Sequence, residues 1–232
     1  MSKFEKFSVN GGSNQFGDNN TQNNVTNNTH HHHSNNSGKG NGEEILPIVI
    51  GAVVGLAALI WWFFSHIDQI YFYLNIITIS SASLSFIAIG VLFISGSITK
   101  EDIFRFLGCA FYALGLFGLA MLARNHAPSD VIQLSEQVKF MDFWRGLTNH
   151  GKDLVVANFV SALSIGIAAF VVHLGSVRQL AYSLAKPNRT GFFYGLYSTT
   201  TPFKMRLVSA VVAILSGVVW AAMNGKLPSI NA

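Results

Sequence analysis

The sequence contains five long apolar stretches, and none of them includes an Asp, Glu, Lys or Arg. An α-helix rises about 1.5 Å per residue, so about 20 apolar residues can cross a hydrocarbon layer about 30 Å thick. Each stretch approaches or exceeds that length, so each is predicted to be a transmembrane helix. The five predicted spans cover residues 45–64, 70–95, 106–123, 154–174 and 207–223.

The composition agrees with this interpretation. Only 11% of the residues are charged and half are hydrophobic, whereas about 25% are charged in ordinary soluble domains. The first stretch begins after 44 residues and no Ala-x-Ala-like site follows it, so it is not predicted to be a cleavable signal. We predict an all-α polytopic membrane protein with a transmembrane helical bundle over residues 45–224. A tail over residues 1–44 precedes the bundle, and a short C-terminal tail over residues 225–232 follows it.

The distribution of Lys and Arg predicts the orientation in the membrane. Ten of the 15 cations fall in the N-terminal tail and in the loops after the second and fourth spans, and five fall on the other side. Cytoplasmic loops carry the excess of Lys and Arg in helical membrane proteins. We therefore expect a cytoplasmic N-terminus and an external C-terminus, in a bacterial inner membrane or a plasma membrane.

The segment between the third and fourth spans is predicted to contain one interfacial amphipathic helix over residues 130–146. Apolar residues recur there at near-helical spacing among charged ones, which is typical of helices that lie in the membrane surface. The helix would either sense lipids or dock a partner, or it would be a connector that rests on the headgroups or on the bundle.

The N-terminal tail is polar and rich in Asn, with almost nothing to bury, so it is predicted to be disordered in an isolated monomer. Asn pairs recur at 19–20, 23–24, 27–28 and 35–36. Asn and Gln stacked in register between chains form hydrogen-bonded ladders in cross-β assemblies. The residues predicted to take part in such assembly are Phe16, Asn20, Gln22, Asn24, Val25 and Asn28.

The stretch of residues 11–28, with Phe16-Gly17, spaced Asn and Gln, and Val25, resembles the amyloid-signalling motifs at the termini of some bacterial and fungal immune proteins. The resemblance implies that a receptor's motif templates the motif of an effector, which is often membrane-damaging. It covers fewer than 20 residues and does not extend to the membrane region. A low-complexity spacer is the alternative interpretation of the same composition.

Small residues in the spans are predicted to let the helices approach closely, because lipid removes the hydrophobic drive for their association. Span one carries the Gly-x-x-x-Gly pattern formed by Gly51 and Gly55. The pattern suits packing within the chain and also a specific dimer face. The predicted helix-packing residues are Gly51, Gly55, Gly115, Gly166 and Gly217.

The loop after the fourth span contains five cations and no acid. Near an anionic leaflet each cation contributes about 1 kcal/mol of attraction. The cations predicted to contact anionic lipid are Arg178, Lys186, Arg189, Lys204 and Arg206. The alternative is that they fix only the topology.

The sequence contains no recognisable catalytic motif: no nucleophile elbow, zinc-protease helix, phosphate-binding loop or dinucleotide fingerprint. We expect no enzymatic activity, no cofactor and no metal site, although His30–His33 would bind transition metals weakly in vitro. No nucleic-acid partner is expected.

The predicted function is that of a membrane effector or interaction protein, with a role in defence, exclusion or toxicity. Its tail would recruit partners or self-assemble. The alternative is an accessory membrane subunit of a transport or secretion complex. The expected partners are membrane lipids, further copies of the chain or another membrane protein, and a cytoplasmic partner of the tail.

Overall fold

The computed structural model of the chain describes residues 42–186 and 191–226, with side chains from Pro47 onward. The chain divides into two compact units, Met1–Ile45 and Leu46–Ala232. Of the first unit only residues 42–45 are described, and they are helical. The rest of the predicted tail, including all six predicted assembly residues, lies outside the described residues. So do the His tract, Arg189 and most of the predicted C-terminal tail.

Within the described ranges, 87% of the residues are helical and no strand occurs. Five helices there are long and apolar enough to cross a membrane, which confirms the predicted fold class. The helices of the described chain are α1 (Gly42–Ser65), α2 (Ile67–Ile94), α3 (Lys100–Asn125), α4 (Ser129–Gln137), α5 (Phe140–Gly146), α6 (Asn149–Ala185), α7 (Phe192–Thr199) and α8 (Met205–Met223). The five long ones are α1, α2, α3, α6 and α8.

Helix α6 lies at the centre of the bundle and packs against α2, α3, α7 and α8. Its neighbours approach closely because the buried positions are mainly small. Ala113 and Ala120 of α3 and Ala168 and Ala169 of α6 are all at most 1% exposed. Alanine and serine, more than glycine, therefore provide the close helix packing that the sequence predicts.

Helix α1 is the least buried of the five long helices of the described chain. Only 17% of the residues in its apolar stretch are buried in the chain, against 22% for α8 and 50% for α6. Its buried residues lie near its C-terminal end, where Ile60, Phe63 and Phe64 join the core. Most of α1 therefore presents its apolar surface away from the rest of the chain.

The prediction of a single helix over residues 130–146 is wrong, because the structure has two helices there, α4 and α5. Val138 and Lys139 adopt extended backbone and separate α4 from α5. In one continuous helix, the 12-residue separation of Val131 and Phe143 would place them about 120° apart around the axis. The break lets both side chains reach the same core cluster. Helix α5 is also attached to α1, since Trp144 Nε1 donates to the carbonyl of Ala57 at 3.2 Å.

Helix α6 is much longer than the predicted span 154–174. Its 37 residues correspond to a length of about 55 Å. The helix continues past the apolar stretch, where residues 175–185 contain no proline and where Arg178 contacts α7 and Gln179 contacts α3. It ends at Ala185, and the C-cap residue Lys186 still has helical backbone angles, with its N–H donating to the Tyr182 carbonyl.

Candidate functional site

A cavity of about 480 Å³ lies between α3, α6, α7 and α8. Arg105, Arg178, Lys204 and Arg206 line it, and no Asp or Glu is among the lining residues. The remaining lining residues are Cys109, Gly175, Gln179, Tyr182, Tyr197, Phe203, Met205 and Val208. The described chain thus has a cavity with four cations and no lining carboxylate.

The extension of α6 beyond its predicted span provides one wall of this basic cavity. Residues 175, 178, 179 and 182 follow the three- and four-residue spacing that places side chains on one face of a helix. Lys204 and Arg206 come from the start of α8, and Arg105 comes from the second turn of α3. The cations therefore come from three separate helices.

Arg178 is held in place by the short helix α7. Its Nη1 donates to the carbonyl of Tyr197 at 3.2 Å, and its guanidinium carbon lies 4.3 Å from the centre of the Tyr197 ring. The Tyr182 ring lies 5.5 Å from the Tyr197 ring. These contacts orient the guanidinium before any ligand arrives, which lowers the entropic cost of binding.

The floor of the cavity depends on a close approach of α6 and α8. A Cβ added to Gly175 would lie 3.1 Å from Val208 Cγ2. Beside it, Cys109 Sγ lies 3.7 Å from Gln179 Oε1, and Gln179 Nε2 donates to the Asp102 carbonyl at 3.5 Å. Gln179 thus links α3 and α6 at the base of the site.

Lys186 is next to the cavity but is neutralised by an ion pair. Its Nζ lies 3.2 Å from Asp102 Oδ2 and also donates to the Ser97 carbonyl. Burial by itself would lower the pKa of Lys186, but the hydrogen bond to Asp102 and nearby negative charge raise it above the usual 10.5. Because this pKa is higher in the folded chain, the charged Lys186 stabilises the fold at neutral pH. That stabilisation is lost only as the pH rises through the raised pKa of Lys186. The pair is therefore fully charged at neutral pH.

The cavity cations differ from Lys186 in their partners. Arg105 makes an exposed ion pair with Glu101 at 3.2 Å. For Arg178, Lys204 and Arg206, no carboxylate within the described ranges lies at ion-pair distance. An excess of unpaired positive charge in a partly enclosed space attracts anions.

The structure thus separates the five cations that were predicted to contact anionic lipid. Arg178, Lys204 and Arg206 come together, Lys186 is paired with Asp102, and Arg189 is outside the described residues. Arg105 is not among the predicted lipid-contacting cations, although its loop is predicted to lie on the same side of the membrane. Nothing in the sequence indicated that Gln179 and Tyr182 would line a cavity, because the helix that carries them was predicted to end at residue 174.

The predicted helix-packing glycines differ in whether they face another helix of the described chain. A Cβ at Gly166 would lie 3.5 Å from Leu74 Cδ2, so this position faces α2. At Gly51, Gly55, Gly115 and Gly217, no atom of the described chain outside the local helix lies within 4 Å of an added Cβ. Their packing role stays a prediction, because no partner for it lies among the described residues.

A polar seam runs between α2 and α6. His173 Nδ1 lies 3.0 Å from Ser81 Oγ and 3.4 Å from Ser80 Oγ. One turn further along, Ser85 Oγ donates to Ser176 Oγ at 3.1 Å. These contacts give hydrogen-bond partners to the three α2 hydroxyls and to His173 and Ser176 of α6, as polar side chains between membrane helices require.

The long apolar helices and their tight, alanine-rich packing define a multi-pass helical membrane protein. Comparisons with protein-family models, curated proteins and solved structures found no match to the chain.

Proposed function

We propose that the protein is a non-enzymatic membrane effector or interaction protein that acts as an oligomer. The observation that supports this proposal is the unpartnered face of α1. Gly51 and Gly55 have open space beside them within the described chain. Large apolar residues of the same helix, such as Ile48 and Val53, are more than 60% exposed.

A second copy of the chain is the occupant that we propose for this face. The tail precedes α1 directly, and its Asn and Gln ladders would form between identical segments stacked in register. Tail assembly would therefore bring several α1 helices together. The Gly51 and Gly55 pair would then allow their backbones to approach closely.

The loose attachment of α1 suits this mechanism. Its contacts with the bundle are concentrated near the C-terminal end, whereas α2, α3, α6 and α8 pack against one another. Association of α1 would leave that packing in place. In the proposed role, the tail is cytoplasmic and the oligomer disrupts the bilayer in a defence, exclusion or toxin-like response.

The first test measures membrane potential in cells during induced expression. The full chain is compared with an Asn24→Pro/Val25→Pro variant, because proline cannot donate to a strand ladder. Ser34→Pro/Ser37→Pro is the matched control, since it adds two prolines to the tail beyond the predicted assembly segment. We expect depolarisation by the full chain and the control, and its loss in the first variant.

The same experiment includes Gly51→Ile, which fills the open face of α1 without touching the tail. We expect this variant to reach the membrane at the normal level and to lose depolarisation. If neither the full chain nor any variant changes the potential, the autonomous effector is excluded. In that case the same α1 face would receive a helix of another protein, as expected of an accessory subunit of a transport or secretion complex.

A further inference from the structure

We propose that the basic cavity binds a phosphate-class anion, carried either by the headgroup of an anionic lipid or by soluble phosphate. This inference does not depend on oligomerisation or on the tail. It is carried by the four cations, the lack of a lining carboxylate and the size of the cavity.

The chemistry of the lining residues favours phosphate over a simple monatomic anion. Three of the four cations are arginines, and a guanidinium offers a planar fork that binds phosphate oxygens in pairs. A volume of about 480 Å³ is within the range of about 300–1,000 Å³ that is usual for small-molecule sites. The site is therefore large enough for a phosphate group together with part of what it is attached to.

Three of the four cations have no carboxylate partner in the described chain and can share one ligand, whereas Arg105 is paired with Glu101. Arg178 is already fixed against Tyr197 at the wall of the cavity. Lys204 and Arg206 are exposed and have no carboxylate partner in the described chain, so their side chains can turn inward. Binding would replace repulsion between neighbouring cations with charge-assisted hydrogen bonds.

Apolar residues beside the cations allow for the lipid form of the ligand. Phe203, Met205 and Val208 line the same cavity. On α7, the side chains of Phe192, Phe193 and Tyr194 are between 43% and 77% exposed. Aromatic side chains are enriched at the headgroup level of membranes, so a lipid phosphate would meet both its charge partners and an apolar surface here.

The test uses the full chain in a neutral maltoside detergent. Calorimetric titrations are made with dioctanoyl phosphatidylglycerol, dioctanoyl phosphatidylcholine and sodium phosphate. We expect saturable binding of phosphatidylglycerol, at least about tenfold tighter than that of phosphatidylcholine, because the excess positive charge of the site favours a net anion. Lys204→Gln/Arg206→Gln should weaken this binding at least about tenfold.

The matched control is Lys139→Gln/Arg145→Gln. It also removes one lysine and one arginine, both exposed, from positions that do not line the cavity. All variants are compared by circular dichroism and gel filtration, which check that the fold is kept. We expect the control to bind phosphatidylglycerol like the unmodified chain.

The titration with sodium phosphate distinguishes the two possible ligands, an anionic-lipid headgroup and soluble phosphate. Weak binding of inorganic phosphate beside tight binding of phosphatidylglycerol identifies the lipid headgroup, and equal affinities identify soluble phosphate. Both results support the site. No saturable binding of either anion, or an equal loss in the control variant, overturns it.

Discussion

Asp102 illustrates how much a single side chain can do at the end of a membrane helix. Its carboxylate accepts from the Thr99 backbone N–H at 3.1 Å, while its own N–H donates to Thr99 Oγ1 at 3.3 Å. This capping box satisfies orphan donors at the start of α3. The same carboxylate pairs with Lys186, so it also joins α3 to the end of α6.

We predict that Asp102→Ala destabilises the chain by about 2–4 kcal/mol, because the capping box is lost and Lys186 keeps its charge without a carboxylate partner. Stability would be measured by unfolding in mixed micelles. The neighbouring Glu101→Ala removes only an exposed pair and should change stability by less than about 0.5 kcal/mol. Equal effects of the two substitutions would contradict the role assigned to Asp102.

At this scale the sequence predicts charge but not pairing. The excess of cations in the loop after the fourth span is visible without a structure, and three of those cations do share a cavity. Lys186 and Lys204 are equivalent in the sequence, yet one is neutralised and the other is not. The difference depends on Asp102, which lies 84 residues away from Lys186 along the chain.

Among the helices, the glycines are a comparable case. Gly115 lies inside a predicted span and is a predicted helix-packing residue, whereas Gly175 comes just after the predicted span 154–174. In the structure, Gly175 faces Val208 closely, while Gly115 faces open space within the described chain. Which face of a helix meets a neighbour depends on the arrangement of the whole bundle.

We predict that Gly175→Val lowers the stability of the monomer by about 1–3 kcal/mol relative to Gly115→Val. Both substitutions add the same β-branched side chain to a helix, so the difference isolates the overpacking against α8. Unfolding of the two variants at low protein concentration measures it. A smaller or reversed difference would mean that Val208 can move aside without loss.

The connection between α4 and α5 shows a different limit. The apolar spacing of residues 131–144 predicts a helix, and helices do form there. The break at Val138 was not predictable from that spacing, because it results from Phe143 and Val131 sharing one core. Tertiary packing overrides the local pattern in this segment.

For the molecule as a whole, the five spans can be predicted directly from the sequence. Length and apolarity determine which segments can cross a bilayer, so the fold class is confirmed. The orientation is a prediction from the cations alone, and the cavity places several of those cations at one end of the bundle.

The orientation can be tested with single cysteines, because Cys109 is only 3% exposed and gives a silent background. We predict that a membrane-impermeant maleimide labels Gln133→Cys in intact cells and labels Ser198→Cys only after permeabilisation. Both positions are exposed in the structure. The reverse pattern would place the basic cavity on the external side.

The length of α6 has a consequence for the depth of the cavity. A hydrocarbon layer about 30 Å thick covers only about half of a 37-residue helix, and the residues of α6 that line the cavity belong to its C-terminal third. Arg178, Gln179 and Tyr182 are attached to a continuous rod, so a thinner or thicker bilayer would change how far they stand from the surrounding phosphates. The occupancy of the cavity by lipid phosphate would therefore depend on membrane thickness.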